Sequence, residues 1–480
     1  MQIHKVSLKM AIQQIIKYNS DSRYFAGFLQ AMIKESAITG TISQSDESLL
    51  LQLDENDANA LAHFTALSNK YLAHSLFLDE IQTITIDAIH PKDEFRVANY
   101  DISACPRCLE ALYDPSSEEY LNDSLVCNHY SNEAKEEFFD TKYYSPHYSE
   151  GSTLLVVDPK NLHKLFLMTS DEIKALLSIE KPTLKVTIRD ETLQELSGKK
   201  FINIKLPHSI KSHLVALNAK ESEVEYLFFE ESDPLKVVII QKNVTVIRDA
   251  RGVSRSVQNL SEERVANRFL NIAKEAGFTK GALCANLSNK NGISFLVSNE
   301  STAKQVIKFQ PFVLKHIFDL MAKDTNKSKL LSSFTQKYPQ IIEELAKHEE
   351  YDLFETVATI LELEEKSFES LSDKSLEFHG NGGLKIDANF NEEGFDYLSF
   401  LGSIMSFKLA NTQAHYLAYS IFEAFADMSI QTLLQLKIKF KVEHIVMMGD
   451  MFENSVLYSR ILSKFQTSDP YFSKGFALDD

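Results

Sequence analysis

The sequence predicts an α/β protein built from several domains, and three observations carry that prediction. Helix and strand signals alternate through residues 1–92 in a βαββαβ order. A strand, a glycine-containing turn and a helix follow one another from His444 to beyond Asn454. At 480 residues the chain is also too long for one ordinary core, so three or four domains are expected.

The elements are justified in chain order. Phe25, Phe28, Leu29, Met32 and Ile33 recur at helical spacing, which predicts a helix over Tyr24 to Lys34. Thr39 to Ile42 and Leu49 to Leu53 read as strands, with a polar turn at Ser43 to Ser48 between them. Asn56 to Ala73 is a second amphipathic helix and Ile81 to Ile86 a further strand. Residues 93–150 hold a cysteine-bearing module and a polar tail whose aromatic residues Phe138, Phe139, Tyr143, Tyr144 and Tyr148 are expected to pack a small core. From 151 to 255 come a helix over Asp171 to Leu177, N-capped by Ser170 or Asp171, and strands at Leu184–Ile188, Val237–Ile240 and Val244–Ile247. From 256 onward a strand spans Gly281 to Asn289, helical and acidic sequence fills Leu330 to Leu376, and a long helix runs from Ala414 to Ile438. His379-Gly380-Asn381-Gly382-Gly383 is expected to make a tight turn before a strand at Leu384 to Ile386.

Composition narrows the function. The net charge of −17 (50 Lys+Arg against 67 Asp+Glu) gives phosphate-backbone binding little support, so no nucleic-acid partner is expected. Four cysteines, three of them in one knuckle, suit a reducing compartment better than a disulfide framework. No apolar run approaches the roughly 18 residues of a membrane helix, so no membrane insertion is expected. The opening residues lack the apolar core and small-residue cleavage site of a signal peptide, and a cytoplasmic location is expected.

The richest stretch is Asp101 to Ser131. Cys105-Pro106-Arg107-Cys108 forms a knuckle; Cys127 follows after eighteen intervening residues, and then His129. Two thiolates three positions apart can grip a soft cation, and a second pair about twenty residues on closes the tetrahedron. Tyr130 stands where a fourth cysteine would be expected. Two readings remain open: zinc held by Cys105, Cys108, Cys127 and His129, or a metal-free loop held by its own packing. Cys284, alone on an apolar strand, reads as buried.

Together with Leu109, Leu112, Asp114, Pro115 and Tyr120, these cysteines resemble the first zinc finger of the HypF family, carbamoyltransferases that begin cyanide-ligand synthesis for nickel–iron hydrogenases. The resemblance extends in order along the chain. It implies an acylphosphatase-like βαββαβ domain at 1–92, a degenerate zinc-finger module at 93–150, a YrdC-like α/β domain at 151–255 and a Kae1-like (actin/Hsp70-type) α/β domain at 256–480. Ile247-Arg248-Asp249-Ala250-Arg251-Gly252 and Met448-Gly449-Asp450-Met451-Phe452-Glu453-Asn454 follow two of the family's motifs.

The same alignment implies losses. The family's phosphate-gripping arginine falls on Ala26, its water-positioning asparagine on Gln44, and two basic residues of its adenylation loop on Leu176 and Ser178. Of that loop only Lys181 remains; with Arg248 and Arg251, and Arg255 beside them, it is the candidate anion contact, against the alternative of an interdomain salt-bridge cluster. In the relic nucleotide loop of Gly449, Asp450 and Asn454, a carboxylate takes the place of the second glycine, which argues against ATP. None of the fourteen histidines lies four residues from another, so the family's His-x-x-x-His metal pair is missing, and so is its second four-cysteine finger, for which His147 is the only substitute ligand in the tail.

These features imply a catalytically reduced HypF-like protein with no catalytic residues of its own. It would act by binding a hydrogenase subunit or maturation protein. The alternative is an active carbamoyltransferase using carbamoyl phosphate and ATP. A zinc-dependent nucleic-acid binder is a third class, disfavoured by the charge.

Overall fold

The computed structural model describes residues 11–45, 47–90, 97–98, 100–127, 129, 142–232, 234–391, 394–465 and 470–479. The chain divides into two compact units, one formed by residues 1–256 with 474–478 and 480, the other by residues 257–473 with 479.

The first unit begins with strand β1 (Ala11–Tyr18), helix α1 (Tyr24–Ser36), β2 (Gly40–Gln44), β3 (Ser48–Asp54), α2 (Ala58–Tyr71) and β4 (Leu78–Ile86). The strands form one antiparallel sheet in the order β2-β3-β1-β4, a split β-α-β sandwich. Tyr24, Phe25, Phe28, Leu29 and Met32 line the buried stripe of α1 and meet Ile16, Tyr18, Leu49, Leu51 and Leu53 of the sheet. Asp57 caps α2 by accepting from the amides of Asn59 and Ala60.

A short helix α3 (Pro106–Tyr113) carries the cysteine knuckle. Then follow β5 (Thr153–Val156), α4 (Leu162–Leu165), β6 (Phe166–Leu167), α5 (Ser170–Leu177), β7 (Leu184–Ile188), α6 (Glu191–Ser197), β8 (Phe201–Lys205), α7 (Ile210–Glu221) and β9 (Tyr226–Phe229). Their sheet has the order β6-β7-β8-β5-β9, with β5 and β8 parallel and the other pairs antiparallel. The cap of α5 is Thr169, in a reciprocal capping box with Glu172, rather than Ser170 or Asp171. The threonine hydroxyl reaches the Glu172 amide while the glutamate returns to the Thr169 amide, satisfying two donors at once.

Strands β10 (Leu235–Ile240) and β11 (Asn243–Asp249) make a hairpin. Its turn places Gln241 and Lys242 at φ +51° and +66°, the hand that matches the twist of the flanking strands. Residues 474–478 also belong to this unit: Leu478 donates its amide to Val246 O at 2.9 Å, and Arg255 lies over the Phe476 ring.

The second unit holds α8 (Arg264–Glu275), β12 (Ala282–Ser288), β13 (Gly292–Ser298), β14 (Ala303–Lys308), α9 (Leu314–Lys323), α10 (Lys327–Lys337), α11 (Pro339–Lys347), α12 (Leu353–Ile360), α13 (Phe368–Leu376), β15 (Phe390–Asn391), β16 (Gly394–Phe395), α14 (Tyr397–Leu409), α15 (Ala414–Phe440), β17 (His444–Met448) and α16 (Ser455–Lys464). The main sheet runs β14-β13-β12-β17, with β12 and β17 parallel. Every residue of β12 is buried, Cys284 included, and burial pushes that thiol well above its ordinary pKa. Phe309, Phe395, Phe400 and Phe425 form an aromatic cluster, with Phe309 and Phe395 stacked at 4.2 Å.

Two further expectations fail. Leu384 to Ile386 is not a strand; the Gly383 and Leu384 amides donate to Glu423 Oε2 and Ser420 Oγ of α15, so side chains do the work expected of a ladder. Tyr143 is 91% exposed and packs no core, whereas Tyr144 and Tyr148 meet Phe229 and Phe228 of β9. Phe138 and Phe139 lie outside the described residues.

Candidate metal centre

Cys105 caps α3 in extended conformation, and Pro106 occupies the first helical position, where a missing N–H costs nothing. The Cys105 Sγ accepts the Cys108 amide at 3.4 Å, so one turn of helix brings both sulfurs to the same side. The Cys105 amide in turn donates to Cys127 Sγ at 3.5 Å, which draws the returning chain against the knuckle. His129 completes the group, with Nδ1 at 3.2 Å from Cys105 Sγ and 3.5 Å from Cys108 Sγ.

The four ligating atoms all lie within 4.8 Å of one another. A tetrahedral zinc with bonds of about 2.3 Å to sulfur and about 2.0 Å to nitrogen requires ligand separations of roughly 3.5–3.8 Å. The cluster therefore has the dimensions and donor set to hold a metal ion. The three cysteines are buried and His129 half-buried. Hydrogen bonds from Cys105 and Cys108 hold the Cys127 thiol well below its usual range; those with Cys105 and Cys127 raise His129 to about 10. Three sulfurs and a ring nitrogen already turned toward one point can exchange their protons for a soft cation.

The module rests on the helices of the first sheet. Phe28 of α1 meets the His129 ring edge-on at 6.4 Å, Arg107 pairs with Glu35, and Glu110 accepts from Lys70 Nζ at 3.1 Å and Tyr71 Oη at 3.0 Å. On its other side Tyr113 Oη lies 2.8 Å from His213 Nδ1 of α7. Tyr130, where a fourth cysteine was expected, lies outside the described residues.

Of the other predicted site residues, Lys181 and Arg251 meet, and most are engaged by backbone. Lys181 Nζ donates to Leu177 O at 3.0 Å, and burial lowers this amine to about 8. Arg251 donates to the carbonyls of Glu180 (2.6 Å), Asp101 (3.3 Å) and Lys181 (3.4 Å), so it braces the chain on both sides of the knuckle-bearing segment. Arg248 sits on β11 opposite Lys236, and Arg255 against Phe476. His147 is exposed and apart from the cysteines.

The loop before α1 is closed by its own chain. Ser20 and Ser22 hydroxyls both donate to Val253 O, at 2.8 and 3.2 Å, and Asp21 accepts from the Ser256 amide. Gln44 Nε2 bonds the carbonyls of Ser20 and Ser22, and Ala26 is fully buried.

In the second unit, Gly449 sits at φ +109°, and a Cβ there would lie 2.1 Å from Leu287 O; only glycine lets β17 turn against β12. Asp450 is buried and accepts from the Asn289 amide at 2.7 Å. Asn454 caps α16 through Oδ1 and donates through Nδ2 to Ser372 Oγ and Ser375 Oγ, each at 2.8 Å.

One polar group escaped the sequence reading. Lys205 at the end of β8 pairs with Glu231 at 2.5 Å, both side chains under 5% exposed, and Thr183 Oγ1 donates to the same carboxylate. Burial lowers Lys205; it works to raise Glu231 too, but the Lys205 charge and the hydrogen bonds prevail and hold that carboxyl below its usual range. Alternation gave no signal for it: Ile202 and Ile204 are the inward positions of the strand Phe201–Lys205, and Lys205 lies on the other face, where its burial breaks the pattern.

No family model matches the chain. Protein HydE of Wolinella succinogenes is 23% identical over 348 residues, 64% of this chain, which spans about 62% of the length of that relative. Two solved structures of HypF align over 98% of this chain and 96% of theirs: the full-length protein in its phosphate- and nucleotide-bound form, at TM-score 0.57 and 10% identity, and the T. kodakarensis protein, at 0.64 and 11%. The chain is thus an α/β protein with a Cys3His cluster that can hold a metal. Its fold over nearly its whole length is that of HypF.

Proposed function

We propose that this chain is a catalytically reduced HypF-like factor in nickel–iron hydrogenase maturation, acting by binding a hydrogenase subunit or another maturation protein. Its parts are the acylphosphatase-like region 1–92, the zinc-finger module 93–150, the YrdC-like region 151–255 and the Kae1-like region 256–480. The observation that carries the reading is a fold shared with HypF along 98% of the chain, although the residues aligned with the family's chemistry are engaged internally. Ala26 lies buried behind a loop closed by Val253, Lys181 and Arg251 hold backbone carbonyls, and Asp450 and Asn454 are built into the turn and cap after β17. Zinc is the proposed ion for Cys105, Cys108, Cys127 and His129, where it would cross-link the module without taking part in a reaction. A cytoplasmic location fits such a role; no helix among the described residues is long and apolar enough to cross a membrane.

The test is capture of the tagged full chain from cells that make hydrogenase, beside an ATP-to-AMP assay with and without carbamoyl phosphate. Co-purification of a hydrogenase subunit or maturation protein, with no AMP formed while a HypF control is active, is the expected result. Carbamoyl-phosphate-dependent AMP would replace this reading with that of a working carbamoyltransferase. Capture without any such partner would count against the binding role.

A further inference from the structure

The parallel strands β12 and β17 end side by side, with Ser288 closing β12 and Gly449-Asp450 following β17. The carboxyl ends of parallel strands in an open α/β sheet are where such folds place ligands. Here the position holds a side chain of the chain itself, Asp479, which is 4% exposed. Ser288 Oγ donates to its Oδ2 at 2.6 Å, Asn291 Nδ2 to its Oδ1 at 2.6 Å, and the Asp450 amide to its Oδ2 at 3.1 Å.

These donors are set by their own turns. Ser288 Oγ accepts the Asn291 amide at 2.8 Å, which leaves the hydroxyl proton for the carboxylate. Gly449, at φ +109° and packed against Leu287 O, fixes the backbone that carries the Asp450 amide. Arg268 of α8, 9% exposed, brings positive charge: burial pushes its guanidinium down to about 10, and the Asp479 charge works against that shift. Asp479 lies 191 positions from Ser288 and 29 from Asp450 along the chain, so it comes to these turns as a ligand would.

We infer that the ends of β12 and β17 form a binding site for a small carboxylate anion, which the chain fills with its own Asp479. Two oxygens, each met by a side-chain donor, match a carboxylate. A phosphate dianion fits less well, because it brings a second negative charge beside the buried Asp450 carboxylate, which accepts the Asn289 amide at 2.7 Å. The aspartate side chain beyond Cα is acetate less one hydrogen, so acetate is the matched probe.

Filled from within, the two turns are held as a bound anion would hold them, whatever the concentration of free anion. A tethered group competes at high effective concentration, so the parent chain should not take up acetate. The site becomes available only when the carboxylate at 479 is removed.

Chemical rescue of the full chain tests this. Asp479→Gly leaves the Ser288, Asn291 and Asp450 donors without their acceptor and should lower the thermal transition by several degrees. Sodium acetate should recover about half of that loss or more, saturably, against sodium chloride of equal ionic strength. Phosphate should recover less, and the parent should not respond. Asp479→Asn still fills the site, so it should be destabilised without being rescued. Adding Asn291→Leu to the glycine variant should abolish the rescue. If Asp479→Gly does not fold by itself, its yield on refolding in acetate against chloride reads the same effect. Failure of acetate to stabilise the glycine variant would overturn the proposal. So would equal recovery by chloride or phosphate, or equal rescue of Asp479→Asn.

Discussion

His129 shows how much one side chain decides. Cys127-x-His129 is an unusual chelate in sequence, and only the approach of Nδ1 to the Cys105 and Cys108 sulfurs makes it the fourth corner. The purified chain should carry one zinc per molecule, and Cys108→Ala should lose it, measured by elemental analysis after exhaustive dialysis. Metal retained by that variant would show that the cluster is not the binding site. His213 makes a different prediction. Burial, then the Lys181 charge, lowers it to about 3 in the folded chain from an ordinary value of 6.5. The unfolded chain therefore binds the proton first as pH falls. The stability contributed by neutral His213 is complete above about 6.5 and declines toward pH 3, by up to about 1.4 kcal/mol per pH unit. Urea unfolding at pH 7 and pH 5 should show this slope, and His213→Gln should flatten it.

At the scale of elements, the turn after β17 is read by its hydrogen bonds. Asn454 resembles part of a nucleotide loop in sequence, yet its amide ties the start of α16 to two buried serines of α13. Asn454→Ala removes a cap and leaves two hydroxyls without that partner, and should cost about 2–4 kcal/mol. Asn454→Asp keeps the capping oxygen and should cost less, which denaturant unfolding of both variants will rank. Elements with strong periodicity were legible: α1, β7, the cores of β10 and β11, α15 and β17 lie where their apolar spacing put them. The strand expected at Leu384 to Ile386 was not, because a three-residue apolar alternation holds no information about whether another strand is at hand to pair with it.

At the scale of the molecule, the end of the chain belongs with its first half. Phe476 and Leu478 are buried in the unit formed by residues 1–256, and Leu478 bonds β11. Leu478→Ala should therefore destabilise that unit by about 2–5 kcal/mol. Hydrogen exchange should report this as faster exchange at β10 and β11, and unchanged protection there would contradict the packing. The sequence offered no hint of it, since a short apolar tail carries no periodicity that names its partner.

What the sequence determined by itself was local: the helices and strands with strong periodicity, the cysteine knuckle whose residues lie close along the chain, and a net charge of −17. Tertiary structure decided everything that depends on distance in sequence. It brought His129 to the sulfurs, closed the loop at Ser20 and Ser22 with Val253, turned Arg251 onto backbone carbonyls and buried Lys205 against Glu231. The physical reason is that a polar side chain entering a core must find a partner or leave its charge unsatisfied, and that partner is chosen by the packing of whole elements.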